Sequence, residues 1–135
     1  MVRVLALAGR RWGELAGLQV GDRVSVPGPG LRVRRAVLAS GGGGALNVDT
    51  LKNNRARTVP LVAALVPIVD RWSEGKTLDA WLFAAPEGGP LRESNWKRSV
   101  GWAAATAVIG RSGLRVHDLR HTAASMGWVL ALTRR

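Results

Sequence analysis

The chain contains two histidines, and both fall within His117-Asp118-Leu119-Arg120-His121-Thr122-Ala123-Ala124-Ser125. His117 and Arg120 stand three residues apart where a loop gives way to a helical pattern, so they share one edge of a first helical turn. That arrangement suits a phosphate. Arginine offers a planar two-pronged fork, histidine can hydrogen-bond or carry a proton near neutral pH, and a helix N-terminus already favours an anion. The alternative for the pair alone is a capped surface helix with a basic edge.

Two further cations have suggestive neighbours. Arg11 lies in Gly9-Arg10-Arg11-Trp12-Gly13-Glu14-Leu15, where Glu14 is three residues on and can face it. Lys52 precedes Asn53-Asn54, a pair that tolerates the left-handed conformation of a tight turn, which places the lysine at or beside a hairpin tip. Taken singly, each is also consistent with a solvated surface charge. The glycine run Gly41 to Gly44 is not followed by Gly-Lys-Ser/Thr, which excludes a phosphate loop for nucleotides. With two histidines and no cysteine, no metal site is expected, and the six tryptophans keep helical spacing that assigns them mostly to the core.

The elements that must position these residues follow from periodicity. Leu5, Ala8, Trp12, Leu15 and Leu18 predict one helix over 3–19, ended by Gly21-Asp22, with Gly9 as a weak point inside it. Val24 to Val26, the turn Pro27-Gly28-Pro29-Gly30, and the alternating run Leu31 to Leu38 predict a hairpin, and Leu46 to Lys52 a third strand. Thr58 and Pro60 predict the start of a helix carrying Leu61, Leu65, Ile68 and Trp72 on one stripe, kinked at Pro67. A short apolar segment, Trp81-Leu82-Phe83, precedes a helix over 94–108 with Trp96, Val100, Ala103 and Ala107 inward. Asp118 is the expected N-cap of the last helix, whose apolar face is Val116, Leu119, Ala123, Met126 and Leu130.

Length and charge bound the function. A chain of 135 residues fits one domain with a real core, and a net charge of +11 calls for a polyanionic partner. The charge is concentrated: residues 1–59 hold 10 Lys and Arg against 3 Asp and Glu, residues 60–91 hold 2 against 4, and residues 92–135 hold 8 against 2. Two basic blocks can therefore meet on one face if the fold brings them together. The absence of cysteine fits a reducing cytoplasm, and apolar runs such as Leu61 to Val69 are too short to span a bilayer, so a cytoplasmic protein with no membrane partner is expected.

Considered together, Gly9-x-Arg11-x-x-Glu14-Leu15, Leu51-Lys52-Asn53-Asn54-Arg55-Ala56-Arg57-Thr58-Val59-Pro60-Leu61 and His117-x-x-Arg120-His121-Thr122 resemble the successive motifs of the catalytic domain of tyrosine recombinases, the phage integrase family. Leu82-Phe83 followed by Gly89-Pro90-Leu91 resembles that family's link between its middle helices, and the likeness runs over residues 3 to about 125. It implies an α+β fold, mainly α, with a small three-stranded antiparallel sheet. The implied subdivision is a first helix with Arg11 over 1–21, a hairpin sheet with Lys52 over 22–59, middle helices over 60–116, and the His-x-x-Arg helix with a divergent tail over 117–135.

The same resemblance implies roles. Arg11 and Arg120 would grip the non-bridging oxygens of a DNA phosphate and stabilise its transition state. Lys52 would protonate the leaving 5′ oxygen, and His117 would assist proton transfer. Arg32, Arg34, Arg55, Arg57, Lys97, Arg98 and His121 would be further DNA contacts, with Asp118 a structural neighbour. The implied partner is double-stranded DNA, with other integrase protomers as possible company, and neither a cofactor, a metal nor a small-molecule substrate is expected.

The chain departs from the pattern in three respects. It contains no tyrosine, whereas the family's nucleophile is a tyrosine that forms a 3′-phosphotyrosyl link. Arg10 stands where the family usually has an apolar residue, and the segment from Met126 to Arg135 is unlike the family's continuation. The resulting expectation is a truncated catalytic domain lacking its C-terminal helices, which binds DNA without cutting it. Two alternatives stay open: a basic nucleic-acid-binding module that does not use the old site, in the role of an antagonist of a full-length integrase, and a fragment left unstable by an uncovered apolar face around Trp128 and Leu130.

Overall fold

The computed structural model describes residues 1–40, 44–51 and 56–132, with side-chain surroundings given as far as Ser125. Lys52, Asn53, Asn54 and Arg55, and with them the predicted hairpin tip, lie outside the described residues. The fold is the expected mixture of helices and small antiparallel sheets, and its first departure from the periodicity comes at the start.

Helix α1 (Val2–Ala8) buries Val4, Leu5 and Ala8 and stops at Gly9, which sits in the left-handed region at φ 61° and ψ 30°. Helix α2 (Trp12–Ala16) begins only after Arg11, whose backbone is extended. The single helix predicted over 3–19 is therefore two. Apolar spacing alone does not register the break, because both pieces point their apolar residues into the same core. Gly9 is required on two counts. An L side chain is strained at that φ, and a Cβ there would lie 2.9 Å from the Cβ of Ala123 on the last helix.

The chain then makes a 3-10 turn, Val20–Asp22, and enters the sheets. Strands β1 (Arg23–Val24), β2 (Gly30–Val33) and β5 (Arg57–Pro60) form a three-stranded antiparallel sheet in the order β1-β2-β5. Strands β3 (Arg35–Ala39) and β4 (Leu46–Thr50) form a separate antiparallel pair, with Arg35 opposite Thr50 and Ala39 opposite Leu46. The strand predicted to run unbroken from Leu31 to Leu38 is interrupted at Arg34. The cause lies in Asp22, whose carboxylate is almost wholly buried. Arg34 Nε donates to its Oδ1 at 2.7 Å and Arg35 Nη1 to its Oδ2 at 2.7 Å. Successive side chains of a regular strand point to opposite faces, so two adjacent arginines reach one carboxylate only where the pleat is broken.

The third strand of the three-stranded sheet is Arg57–Pro60, paired so that Arg32 faces Thr58 and Leu31 faces Val59. Thr58 and Pro60, expected at a helix start, are thus in a strand. The β-branched pair Thr58-Val59 favours it, with Val59 buried and its neighbours exposed. A 3-10 turn, Ala63–Leu65, leads into α3 (Val66–Ser73), where Pro67 sits in the first turn and causes no kink. Leu65 and Val69 are the buried positions of this region, Ile68 is partly buried, and Trp72 packs edge-on against buried Phe83 at 5.4 Å between rings.

The helix predicted over 94–108 is also two: α4 (Glu93–Ser99) and α5 (Trp102–Val108), parted at Val100-Gly101. The break resets the inward face. Trp96, Trp102 and Thr106 are buried, whereas Val100, Ala103 and Ala107 are exposed. Trp12, Trp96 and Trp102 stack in a row, with ring centroids 5.1 and 5.6 Å apart, and Trp102 Nε1 donates to Leu114 O at 2.8 Å. The 3-10 turn Val116–Asp118 then opens α6 (Leu119–Leu132), which lies along α1.

Gly9→Ala is expected to lower folding stability by about 1 to 3 kcal/mol, the cost of a left-handed alanine plus an overpacked contact. Urea unfolding followed by circular dichroism checks it, and an unchanged midpoint would mean the turn can move away from α6.

Candidate functional site

The turn Gly9-Arg10-Arg11 is where the two ends of the chain meet. Gly9 packs against Ala123, which lies three residues beyond Arg120, so the turn is seated on the first turns of α6. Below it, α2 lies flush on β3: a Cβ on Gly13 would come within 2.6 Å of Val37 O. The turn before α2 therefore rests on α6 while α2 itself rests on β3.

Glu14 organises the polar side of this junction. It is buried, and its Oε1 takes Arg57 Nη2 at 2.5 Å. Its Oε2 accepts the backbone N–H of Arg11 at 3.4 Å, a long contact. Sequence spacing pairs Glu14 with the side chain of Arg11, but the carboxylate instead holds the backbone of Arg11 and the guanidinium of Arg57, which leaves the Arg11 side chain exposed. Arg10 turns its Nε to Ala8 O at 2.8 Å. Burial holds its pKa below the usual arginine value, followed by the charge of Arg57; Glu14 opposes this and Arg120 adds to it. Arg10 thus feels the charges of Arg57 and Arg120 as well as that of Glu14, and of these arginines Arg57 is the one bonded to the carboxylate.

On α6, Arg120 is half-buried while His117 and His121 are exposed, their rings edge to face at 6.2 Å between centroids. Asp118, expected to cap α6, belongs to the preceding 3-10 turn and closes it. Its Oδ2 accepts the Arg115 backbone N–H at 2.9 Å and its Oδ1 accepts Arg115 Nη2 at 2.9 Å. The Arg115 side chain first, and then its backbone N–H, hold the Asp118 carboxyl below the ordinary carboxylate value.

The remaining predicted residues divide into groups. Arg32 is exposed on β2, opposite Thr58. Arg34 is engaged with Asp22, so a free phosphate contact is not its setting; its Nη2 adds a second contact to the same carboxylate oxygen at 2.6 Å. Lys97 and Arg98 on α4 line a cleft of about 370 Å³ with Trp102, Thr106 and Arg115. Lys52 and Arg55 lie outside the described residues; of their described neighbours, Leu51 N donates to Arg34 O at 3.4 Å and Arg57 is held by Glu14. Among the described residues no group of His, Cys, Asp and Glu is placed to hold a metal ion, and no helix is long and apolar enough to cross a membrane.

Two participants escape sequence reasoning, Arg10 at the junction and Arg115 at the cleft. Glu14 was the available signal: an acidic residue on the inner face of a helix requires a cationic or N–H partner once buried, and two arginines flank it closely in sequence.

Comparison with known proteins places this arrangement. The model of the phage integrase family matches residues 1–126. The integrase of Mycobacterium phage D29 is 35% identical over 130 residues, covering 93% of this chain and 34% of that protein. The integrase of Mycobacterium phage FRAT1 is 34% identical over 133 residues, covering 93% of this chain and 38% of that one. The chain thus spans little more than a third of the length of these relatives. Among solved structures, the Tn1549 transposon integrase in complex with a circular intermediate DNA superposes with a TM-score of 0.71 at 19% identity, over 90% of this chain and 43% of that one. A crystal structure of XerA recombinase gives a TM-score of 0.57 at 24% identity, over 93% and 40%. These structural likenesses establish the fold.

Glu14→Gln is expected to cost about 1 to 2 kcal/mol, toward the low end for a buried ion pair because Arg57 is half exposed; thermal unfolding measures it, and a neutral result would show that Glu14 does not hold the junction. The Asp118 carboxyl is expected to titrate below its ordinary 3.8, and Arg115→Ala to bring it back toward that value. Since its folded pKa is depressed, the turn's contribution is full above 3.8 and is lost as pH falls through the folded value. Carboxyl titration by NMR decides this, and an unshifted Asp118 would contradict it.

Proposed function

The chain belongs to the phage integrase family of tyrosine recombinases, and from that premise we propose that it grips duplex DNA at a backbone phosphate. The observation that carries this reading is the seating of the Gly9-Arg10-Arg11 turn on α6 beside Arg120. The charge of Arg120 reaches Arg10 in this turn, and Glu14 holds the Arg11 backbone and Arg57 beneath it. Arg11 and Arg120 are the phosphate ligands, their forks suited to non-bridging oxygens. His117, exposed in the 3-10 turn that leads into α6, is the residue that hydrogen-bonds or carries a proton. Lys52 is the acid for a leaving 5′ oxygen. Arg32, Arg55, Lys97, Arg98 and His121 extend the contact along the backbone, with Arg115 beside Lys97 and Arg98, while Arg57 is engaged by Glu14.

Integration and recombination in this family proceed by transesterification at a DNA phosphate. The 135 residues of this chain include no tyrosine to take up the 3′ phosphate, so the reaction assigned here is binding without covalent capture. A chain that occupies DNA in this way in the cytoplasm would compete with full-length integrase protomers. A second reading has its own observation in its favour: the cleft lined by Lys97, Arg98 and Arg115 offers a basic surface on the other side of α6's opening turn. In that case the protein binds nucleic acid without the Arg11 and Arg120 site.

Fluorescence anisotropy with a short labelled duplex separates the two. Replacing Arg11 and Arg120 together by alanine is expected to weaken binding by roughly tenfold or more and to flatten the slope of log affinity against log salt by up to about 0.9 for each of the two charges removed. Unchanged affinity in that double variant, with loss on replacing Lys97 and Arg98, would transfer the function to the cleft. A nicked duplex is expected to give no covalent protein–DNA adduct on a denaturing gel, and an adduct would overturn the assignment of binding alone.

A further inference from the structure

We propose that Arg10 is a third phosphate ligand of this site. The inference rests on the reading of the site as a DNA phosphate grip and names a residue which that reading does not require.

The geometry is unusual for a surface arginine. Arg10 sits in the turn fixed by Gly9 against Ala123, immediately before Arg11, and is half-buried. Its Nε is held by Ala8 O at 2.8 Å, which sets the plane of the guanidinium. No carboxylate pairs with it among the described residues, because the one acid at the junction, Glu14, is already engaged by Arg57 and by the Arg11 backbone. The electrostatics point the same way. Burial and the charges of Arg57 and Arg120 all disfavour its protonated form, and Glu14 offsets them only in part.

A half-buried cation with cationic neighbours and no counter-ion destabilises the compact state. A solvated surface charge would relieve that by turning outward, but here the bond to Ala8 O holds Nε inward while both Nη groups remain available. An apolar residue would fill the position without the penalty. What offsets the penalty is an anion supplied from outside. A phosphodiester suits the guanidinium fork and needs no base identity to be recognised. The contact therefore raises affinity for any duplex sequence.

Anisotropy titrations of a short labelled duplex across a range of salt concentrations test this on the full chain. Arg10→Leu, which puts an apolar residue there, is expected to weaken binding about eightfold at about 0.1 M salt and to reduce the slope of log affinity against log salt by about 0.9, the signature of one lost phosphate contact. Arg10→Lys is expected to keep most of that slope, since it keeps the charge. If Arg10→Leu binds with unchanged affinity and slope while the Arg11 and Arg120 double alanine variant loses binding, the phosphate grip stands and Arg10 is no part of it. If the double variant also binds like the original chain, the grip itself falls, and this proposal with it. Should Arg10→Leu fail to fold, the nitrogen-15 resonance of Arg10 Nε in the unmodified chain gives the answer. It is expected to shift as duplex is added, and a resonance that does not move overturns the proposal.

Discussion

The site depends on the close approach of Gly9 to Ala123, which joins the first turn of the chain to its last helix. A methyl group at residue 9 would stand 2.9 Å from the Ala123 Cβ, so the turn meets α6 backbone against side chain with nothing between. That contact brings Arg11 and Arg120 to one junction although more than a hundred residues separate them. Gly13 extends the constraint to the other side of α2, where its approach to Val37 O ties the same short helix to the β3-β4 pair. A helix of this length has little stability of its own. Its position comes from these two contacts and from Glu14.

The polar organisation follows a single economy of carboxylates. Two buried acids, Asp22 and Glu14, each hold more than one basic or N–H partner. Asp22 collects Arg34, Arg35 and the Gln19 N–H, at 2.9 Å for the last, and so fixes the bend between the two sheets. Glu14 collects Arg57 and the Arg11 backbone and so fixes the junction with α6. With 20 Lys and Arg against 9 Asp and Glu, arginines such as Arg10 and Arg32 are left without such partners among the described residues. A charge of +11 is thus divided between cations that build the fold and cations that can meet an external polyanion, and burial of the acid is what separates them.

Much of this was legible in the sequence, and the failures share one cause. The ordered motifs around Arg11, Lys52 and His117 to Arg120 indicate the family, and residue alternation indicates β2, where Leu31 and Val33 are buried and Arg32 between them is exposed. Periodicity failed wherever a backbone break left the apolar pattern in phase. Gly9 divides one apparent helix and Gly101 another, and the predicted inward face past Val100 is wrong because the break rotates α5. The reading of Arg57-Thr58-Val59-Pro60 as a helix start failed because a capping threonine and a proline are equally at home in an edge strand, and only pairing with β2 decides between them. Charge roles were the least legible part. Arg34 and Arg32 are alike by type and spacing, yet one is held by Asp22 and the other is not. That difference arises from contacts between residues distant in sequence.

A structure of the chain bound to a short duplex tests the central claim most directly. The account predicts one backbone phosphate within hydrogen-bond distance of the guanidinium groups of both Arg11 and Arg120. A duplex lying across the cleft of Lys97, Arg98 and Arg115, with no phosphate at the Gly9 turn, would contradict it.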